Sequence, residues 1–518
     1  EISRLPSELE IENPELVKKL YERNGTSEFS EIDGDYVFVL WDSDKEKLLF
    51  SKYLTNNKNI FYFKHEGNLF FASEIKALLA IQDIEINLDY SSISDFLTFG
   101  HIPSPYTIFK DVMRLPPMSL ISYENSSFKR KSLDFFDLQR DRVSSVKRAI
   151  KEVYKSLEDS VRKRILDKRN CGLLLSGGID SSTLLHFLDK NLESPVKTFT
   201  AGIKEDKKYA RRVSEFFGSD HTEVTIDENN LVKIAPKSIW HLEYPLDHPG
   251  VFQYYFVKAS EDIDYVFWGQ GAEEPLFGRK DYLALDIANK RRKIFPNILN
   301  EYLSNKFSGI PKTNTFNFIV NSLFSDNPEE AFVNLREIMS SRERGEMFGE
   351  KVIENKSDRL VCDRSSGDLL KDYSYVTMRN GFLSDTYFNI GQETLNPYLS
   401  KDFLDLCFAI PTKIKIKNFE KRYVMKKMMK EHLPNFIINR GRDTWSEQTK
   451  KMVSTKKELF YEYAEKLRSR KILKDKVSDF SRKYRYKFDE KLWSLFTLEI
   501  LLELFHDRRT LKEPNGFL

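Results

Sequence analysis

Residues 171–183 read CGLLLSGGIDSST and have the makings of a phosphate-binding loop. A short apolar run ends there on two glycines, one carboxylate and three hydroxyls: Ser176, Gly177, Gly178, Asp180, Ser181 and Ser182. Glycines let backbone N–H groups approach a phosphate closely, and the start of a helix favours negative charge. An anionic Asp180 beside phosphates requires a cation between them. The stretch therefore predicts Mg²⁺ bridging to a pyrophosphate.

A purely structural explanation of the same stretch stays open. The lysine of the GxxxxGK[ST] phosphate loop is absent, so the stretch is not a Walker A motif. A glycine-rich turn that ends a core strand, with Ser181 as the N-cap of the following helix, needs no ligand.

Two sequence patterns surround this stretch and must position it. From about Tyr36 to Leu138, short β-rich runs are split by Asp, Asn and Gly turns, which predicts antiparallel hairpins. Val146 to Leu166 has apolar residues at helical spacing. Beyond it, helical stretches alternate with short apolar strands at 172–175, 196–203, 221–226 and 265–269. This alternation predicts an α/β fold with a parallel sheet, which becomes mainly helical after about Lys280.

Composition narrows the function classes. The net charge of +3, from 82 basic and 79 acidic residues, argues against a nucleic-acid partner. Cys171, Cys362 and Cys407 are too far apart for a disulfide framework or a CxxC metal site, which favours the reducing cytoplasm. The apolar stretch 492–505 is too short to span a bilayer and contains two glutamates, so it predicts a buried helix and no membrane partner.

Several motifs, in collinear order, carry a family resemblance. SGGIDSS resembles the pyrophosphate-binding loop of the N-type ATP pyrophosphatases, which cleave ATP between its α and β phosphates and adenylate a substrate. The wider pattern resembles the glutamine-dependent asparagine synthetases through TFTAGI at 198–203, WGQGAEEPLFG at 268–278, GQETLNPYL at 391–399, KRYVMK at 421–426 and an LP turn followed by Arg440. Upstream, YVFVLWD, FFASEIKALL and PSPYTIFKDVMRLPP resemble the later part of that family's glutaminase domain.

The resemblance implies two domains and their ligands. Residues 1–140 would form an antiparallel, β-rich glutaminase-like domain of the Ntn type, without activity. Residues 146–518 would form a doubly wound parallel-sheet ATP-pyrophosphatase domain with a helical C-terminal part. The implied cofactors are ATP and Mg²⁺, the implied partner is a small amino-acid substrate, and a homodimer is left open.

Carried over residue by residue, the resemblance gives a nucleotide and metal site. The ATP-binding residues would be Leu174, Ser176, Gly177, Gly178, Asp180, Ser181, Ser182, Ala201, Trp268 and Gly269. Leu174 and Ala201 stand where the family contacts adenosine, Ala201 through its backbone. A second carboxylate must join Asp180 on Mg²⁺, and Glu273 stands where the family usually has aspartate. The alternative for Glu273 and Glu274 is a solvated acidic turn.

The catalytic candidates implied by the resemblance are Lys421, Arg422 and Gln270. The family's catalytic lysine aligns with Arg422, which can hold a phosphate but cannot shuttle a proton at neutral pH. Gln270 stands where many members carry a glutamate that helps amination. The alternative for the basic residues is a solvated helix face. The turn 243–247 and the loop 249–251 are expected to line the substrate pocket.

The N-terminal half departs most from the family pattern. A family glutaminase opens on a nucleophilic cysteine, whereas the first residue here is Glu1. A missing upstream segment would explain why the cysteine is absent. It would not explain why Asn13 replaces the expected acidic residue, or why the stretch 52–56 replaces the usual RDRxG. These internal changes favour a degenerate glutaminase that does not hydrolyse glutamine.

The resulting functional hypothesis is an ATP-dependent amide-forming ligase of the asparagine synthetase type. It would convert aspartate, ATP and a nitrogen donor to asparagine, AMP and pyrophosphate. One alternative is an intramolecular amide synthetase, similar to β-lactam synthetases or lasso-peptide cyclases. Another is a catalytically weak nucleotide-binding relative that serves as an interaction protein.

Overall fold

The fold is described from a computed structural model of the chain. The structure describes residues 14–34, 36–54, 58–81, 85, 87–133, 136–138, 141–166, 168, 170–202, 204–226, 228–246, 248–294, 333, 335–339, 341–349, 352, 359, 366–380, 392–440, 453–474, 488–507, 512 and 514. We call the described residues up to 138 the N-terminal part and those from 141 onward the C-terminal part.

Two antiparallel sheets form the centre of the N-terminal part, as the hairpin pattern predicts. One sheet has the order β1-β2-β6-β7 and the other β4-β3-β5. The strands are β1 (Val37–Asp42), β2 (Lys47–Lys52), β3 (Phe61–His65), β4 (Asn68–Ala72), β5 (Met113–Arg114), β6 (Ser119–Glu124) and β7 (Ser127–Ser132). Phe50 of β2 stacks on Tyr62 of β3 with ring centroids 6.0 Å apart, so the two sheets share an aromatic core.

The N-terminal part also contains helices Pro14–Asn24, Ile75–Leu79 and Tyr90–Phe99 and a 3₁₀ turn Phe29–Glu31. The third helix has clear end signals. Asp89 is its N-cap and accepts a hydrogen bond from the Ser91 amide at 3.0 Å, and Gly100 ends it in the left-handed conformation with φ 70°.

A five-stranded parallel sheet organises the C-terminal part, in the order β10-β9-β8-β11-β12. The strands are β8 (Cys171–Leu174), β9 (Lys197–Gly202), β10 (Asp220–Thr225), β11 (Tyr265–Phe267) and β12 (Glu393–Leu395). The direction of winding reverses between β8 and β11. In open parallel sheets, ligands bind at such a reversal, beyond the carboxyl ends of the strands.

The α/β prediction is therefore confirmed in outline, and the predicted strands lie within a residue or two of the observed ones. The helices of the C-terminal part are Val146–Ile165, Ile179–Asn191, Lys204–Phe217, Glu228–Leu242, His248–Ala259, Lys280–Ile294, Ser341–Met347, Leu369–Arg379, Lys401–Phe408, Thr412–Lys415, Tyr423–Met429, Asn435–Ile438, Lys457–Ser469 and Phe488–Leu501. A 3₁₀ turn covers Pro397–Leu399, and a π-helical turn, Leu502–Asp507, extends the last helix.

The last helix is buried, as its apolar sequence predicts. Trp493, Leu495 and Phe496 pack in the largest core cluster of the described residues. Within the described ranges, no helix is both long and apolar enough to cross a membrane. Two of the three cysteines are described, and both Cys171 and Cys407 are reduced.

The N-terminal and C-terminal parts cap each other's helices. Glu243 from the C-terminal part accepts hydrogen bonds from the amides of Ile75 and Lys76 at 2.6 and 2.9 Å, at a helix start that has no side-chain cap of its own. In return, Asp33 accepts a hydrogen bond from the amide of Lys401 at 2.8 Å, at the equally uncapped start of Lys401–Phe408. Each cap stabilises its helix by about 0.5–2 kcal/mol.

Candidate active site

The first glycine loop, residues 175–178, joins β8 to the helix Ile179–Asn191 and is braced by hydroxyls. The Ser176 amide donates to the Ser181 hydroxyl oxygen at 3.2 Å, and the Gly178 amide donates to the Ser176 hydroxyl oxygen at 3.2 Å. Gly178 is the N-cap, without a side-chain hydrogen bond. The assignment of Ser181 as the N-cap is therefore wrong, because the helix begins at Ile179, two residues before Ser181.

Gly177 cannot be replaced by a larger residue without displacing the loop. Its φ is 66°, and a Cβ there would lie 2.6 Å from the backbone nitrogen of Ala210. Behind the loop, Arg440 lies over the Tyr209 ring and donates to the Ser176 carbonyl oxygen at 2.9 Å. The start of the adjoining helix thus presents backbone amides at the carboxyl end of β8, next to the winding reversal.

The second glycine loop, residues 268–278, follows β11 and lies against the first. A Cβ on Gly269 would stand 3.1 Å from the Ser181 amide nitrogen, so the two loops are in close backbone contact. Gly271 has φ 86°, and a Cβ there would stand 2.3 Å from a Leu399 methyl carbon. The amide of Gly278 donates to the carbonyl oxygen of Glu273 at 2.7 Å and closes the loop.

Asp180 and Glu273, the two predicted metal ligands, are brought together by one arginine. The Nη2 atom of Arg422 lies 2.8 Å from a carboxylate oxygen of Asp180 and 2.5 Å from one of Glu273. Burial by itself lowers the pKa of the Arg422 guanidinium, but the charges of Asp180 and Glu273 outweigh it and raise the pKa above its ordinary value. Arg422 is therefore a permanent cation between two carboxylates.

The backbone around Arg422 is shaped to deliver this guanidinium. Arg422 precedes the helix Tyr423–Met429 with φ 57°, a left-handed conformation that is costly for a residue with a side chain. A Cβ on Gly278 would lie 2.3 Å from the Arg422 Nε atom, so only glycine leaves room for the side chain. The solvated-face alternative is wrong for Arg422.

Of the neighbouring lysines, Lys427 fits the solvated-face alternative, whereas Lys421 and Lys426 are partly buried. Lys426 pairs with Glu420 at 3.0 Å, and Lys427 is exposed beside the Tyr423 ring. Lys421 is half-buried and lies just before the helix rather than on it. The ion pairs to Asp180 and Glu273 come from Arg422.

The carboxylates of Asp180 and Glu273 fit a divalent cation as part of a shared site. Both contact one nitrogen atom, so they are close enough to serve a small cation whose oxygen ligands stand about 2.0–2.1 Å from Mg²⁺. Among the described residues, no group of three or more His, Cys, Asp or Glu side chains could hold a metal. The donor set therefore fits Mg²⁺ that arrives with phosphate oxygens, and Arg422 stands in the same place.

A buried charge cluster lies directly behind the second loop. Glu274 is only 5% exposed, and burial together with the charge of Glu273 raises its pKa. Arg279 pairs with Asp281 at 2.9 Å, and the Tyr373 hydroxyl donates to the same carboxylate at 3.1 Å. The alternative of a solvated acidic turn is therefore wrong for Glu273 and Glu274, because one is bound to Arg422 and the other is enclosed.

The remaining predicted residues lie around the two loops with different exposure. Ser176 is exposed, while Ser181 and Ser182 are buried within the helix start. Trp268 and Gln270 are half-buried on the second loop.

The two residues predicted to contact adenosine are enclosed. The side chains of Leu174 and Ala201, at or near the ends of β8 and β9, pack into separate core clusters. Each can therefore face a nucleotide chiefly through its backbone.

The turn expected to line the substrate pocket contacts the N-terminal part and the last helix. Glu243 caps the helix Ile75–Leu79, and the Tyr244 hydroxyl lies 3.0 Å from a ring nitrogen of His101. The Leu246 carbonyl oxygen accepts a hydrogen bond from the Trp493 indole at 3.1 Å. The described part of this turn is therefore a contact with the N-terminal part and the last helix. Asp247 and the side chains of 249–251 lie outside the described residues.

Sequence reasoning missed Tyr398, which the structure places beside Asp180. Its hydroxyl donates to the Asp180 carbonyl oxygen at 2.9 Å, and its side chain is fully buried. The spacing of Tyr398 from Asp180 in sequence gives no hint of this contact. The signal was topological, because Tyr398 follows β12 and Asp180 follows β8 in a sheet whose strands all end at the same edge.

Comparisons with known proteins agree with this geometry. The asparagine synthase family model matches residues 152–507, and the glutamine amidotransferase domain model matches residues 12–133. The first match spans both glycine loops and Arg422.

Named relatives point the same way. "Asparagine synthetase [glutamine-hydrolyzing] 1" of Bacillus subtilis is 23% identical over 433 residues, which cover 79% of this chain and 67% of the relative. "Putative asparagine synthetase [glutamine-hydrolyzing] 2" of Methanocaldococcus jannaschii is 25% identical over 394 residues, 71% of this chain and 74% of the relative. "Amidase chyE" of Penicillium rubens is 29% identical over 289 residues, 51% of this chain but only 42% of its own length. On the family match and the two-loop site together, the chain belongs to the asparagine synthase family.

Proposed function

We propose that this protein is an ATP-dependent amide-forming ligase that activates a carboxylate as its adenylate, releases pyrophosphate and transfers the acyl group to an amine. The carrying observation is that Asp180 and Glu273, from two glycine loops at the winding reversal, meet on one arginine. Its parallel-sheet part, 146–518, would be a doubly wound ATP-pyrophosphatase domain. The preceding part, 1–140, would be an Ntn glutaminase-like domain.

In this proposal the first glycine loop binds the pyrophosphate portion of ATP. The backbone amide of Gly177 and the exposed hydroxyl of Ser176 would bind the phosphates, while the Gly178 amide holds the Ser176 hydroxyl in place. Bound Mg²⁺ would neutralise phosphate charge, and Asp180 and Glu273 are the residues that would hold it. Arg440, which fixes the Ser176 carbonyl, keeps the loop in the shape that the phosphates require.

Arg422 supplies the fixed positive charge for the reaction. The substrate carboxylate attacks the α-phosphorus, the bond to pyrophosphate breaks, and an amine then displaces AMP from the acyl-adenylate. Negative charge develops on the departing oxygens in both steps, and the guanidinium stabilises it by exchanging the two carboxylates for these oxygens when Mg²⁺ binds. Neither Arg422 nor Gln270 can take up a proton at neutral pH, so their role is to hold and orient. Lys421 is a second cation within the same turn.

The nitrogen donor in this proposal is ammonia or an amine of the substrate. The chain replaces the family's RDRxG stretch, and the described residues of the replacement are enclosed. Lys52 is fully buried and donates to the Asn59 side chain at 2.5 Å, and Tyr53 is 1% exposed. These residues serve packing rather than an open glutamine pocket. Release of glutamate from glutamine by this polypeptide would overturn this assignment.

Aspartate is the acceptor that the relatives' names suggest, and asparagine is then the product. The second candidate is an amide synthetase that joins a carboxylate and an amine of one substrate molecule. The enclosed Lys52 and Tyr53 favour it, because a ligase that needs no free ammonia has no use for a glutaminase site. Product analysis with aspartate plus ammonia, against amino-acid substrates without added amine, separates the two.

The proposed function is tested by replacing Asp180 with an isosteric neutral residue. Asp180→Asn is expected to abolish substrate-dependent pyrophosphate release, because one of the two carboxylates proposed for Mg²⁺ is lost. The matched control is Asp189→Asn, the same change on the exposed end of the same helix, which should leave release unaltered. If Asp180→Asn released pyrophosphate at the parent rate, the role assigned to Asp180 would be wrong.

A further inference from the structure

A short segment, residues 395–400, contacts both loop regions of the proposed site. We call it the bridging segment. The Leu395 carbonyl oxygen accepts a hydrogen bond from the Trp268 amide at 3.1 Å, and the Pro397 carbonyl oxygen accepts one from the Ser160 hydroxyl at 2.9 Å. The bridging segment is thereby fixed to the second glycine loop and to the helix Val146–Ile165.

Tyr398 and Leu399 connect the bridging segment to both glycine loops. The Tyr398 hydroxyl donates to the carbonyl oxygen of Asp180, and the Leu399 side chain fills the space where Gly271 has no Cβ. Asp180 lies in the first turn of the helix that follows the first loop, and Gly271 belongs to the second loop. Two adjacent side chains therefore set the distance between the loops that carry the two carboxylates.

The N-terminal part holds the bridging segment from the opposite side. The Tyr53 hydroxyl, on a side chain only 1% exposed, donates to the Leu399 carbonyl oxygen at 2.8 Å. Asp33 accepts from the Lys401 amide, and Lys401 also pairs with Glu31 at 2.6 Å. Leu399 and Tyr53 further share one hydrophobic cluster, so this contact is a continuous part of the core.

We propose that Tyr398 is a positioning residue for Asp180 and that Tyr53 extends this positioning into the N-terminal part, which thereby serves the adenylation step without any glutamine chemistry. The proposal rests on the proposed function for the reaction that is positioned. It gives the N-terminal part a role that its enclosed residues can fulfil. A path of direct contacts runs from Tyr53 through Leu399 and Tyr398 to both loops.

The proposal is tested by removing single hydroxyls. Tyr53→Phe and Tyr398→Phe keep the rings and lose one hydrogen bond each. The matched control is Tyr21→Phe, whose hydroxyl donates to Asp42 at 2.6 Å within the N-terminal part, with neither residue in the bridging segment. ATP–pyrophosphate exchange is measured well below each variant's Tm. We expect about a tenfold loss in kcat for Tyr398→Phe and a smaller loss for Tyr53→Phe, with KM for ATP changed less than about twofold.

The double variant distinguishes positioning from general weakening of the fold. If both hydroxyls act along one path, the two losses in kcat are not multiplied in the double variant. Multiplied losses, or a Tyr53→Phe variant that turns over like Tyr21→Phe, would overturn the proposal.

A second readout does not depend on activity. Amide hydrogen exchange is expected to rise in both glycine loops for Tyr53→Phe and to stay unchanged there for Tyr21→Phe. If the parent protein exchanged pyrophosphate with no substrate, the proposed function would fail, and loop exchange would still decide the coupling. Equal loop protection in Tyr53→Phe and Tyr21→Phe would reject it.

Discussion

The proposed site and the contact between the N-terminal and C-terminal parts use buried charge in opposite ways. At the glycine loops, Asp180, Glu273 and Arg422 keep between 15% and 18% of their side chains exposed. Where the parts meet, Glu243 and Lys76 pair with only 4% and 9% exposed, and Glu243 is also tied to backbone amides. A charged side chain that solvent can reach can exchange its ion-pair partner for a ligand. A charged side chain that is buried against backbone amides keeps its partners and fixes the two segments together. The first arrangement suits chemistry and the second suits assembly.

The largest expected effect comes from the partly exposed charges of the proposed site. Arg422→Ala should lower turnover by about 10²–10³, because the cation proposed to stabilise the departing oxygens is lost, and ATP affinity should change much less. Lys421→Ala should lower turnover less. Lys427→Ala, an exposed lysine on the following helix, is the control and should have no effect. ATP–pyrophosphate exchange and product formation measure all three.

A turnover rate equal to that of the parent protein in both Arg422→Ala and Lys421→Ala would contradict a role for these cations in the reaction. The cation for the reaction would then have to come from elsewhere in the chain.

The buried charge pair between the N-terminal and C-terminal parts is tested with Glu243→Ala. This change removes the cap of the helix Ile75–Leu79 and leaves Lys76 paired with the more exposed Glu74, so we expect the free energy of unfolding to fall by about 1–3 kcal/mol. Glu22→Ala breaks a pair that is about three-fifths exposed and should cost at most about 1 kcal/mol. Urea denaturation compares them. Equal losses in the two variants would show that enclosure does not distinguish these pairs.

A smaller effect tests whether Asp180 and Glu273 can exchange Arg422 for a metal ion. Since Arg422 stands where a divalent cation fits, Arg422→Gln should bind Mn²⁺ in the absence of nucleotide about tenfold more tightly than the parent protein. Electron paramagnetic resonance of free Mn²⁺ measures this directly. Lys427→Gln removes an exposed cation from the helix that follows Arg422, and it should leave Mn²⁺ affinity unaltered. Tighter binding in neither variant would mean that Arg422 and the metal do not compete.

Much of the first loop could be predicted from sequence because its signals are local. A buried strand, two glycines and an acid within seven residues specify a strand, a tight turn and a helix start. The hairpins of the N-terminal part were predictable for the same reason, since alternation and turn residues lie next to each other. The N-cap assignment of Ser181 failed only because the helix begins two residues earlier, at Ile179.

The remaining features could not be predicted because they depend on contacts between distant residues. The Tyr53 hydroxyl meets Leu399 across 346 positions, and Glu243 meets Ile75 across 168. Arg422 was aligned with a catalytic position, but its place between two carboxylates depends on a positive φ and on the missing Cβ of Gly278. Backbone conformation of this kind leaves no periodicity in the sequence.

The reciprocal helix caps have a consequence for the order in which the chain folds during synthesis. The helix Ile75–Leu79 cannot be capped until Glu243 has been synthesised, 168 residues after Ile75. Asp33 can cap the helix Lys401–Phe408 only after 368 further residues have been synthesised. Contacts of such long sequence separation form late, after the local hairpins and helices. The N-terminal part is therefore synthesised first, but it completes its contacts last. Its contacts with the C-terminal part cannot form until Glu243 and Lys401 have been synthesised.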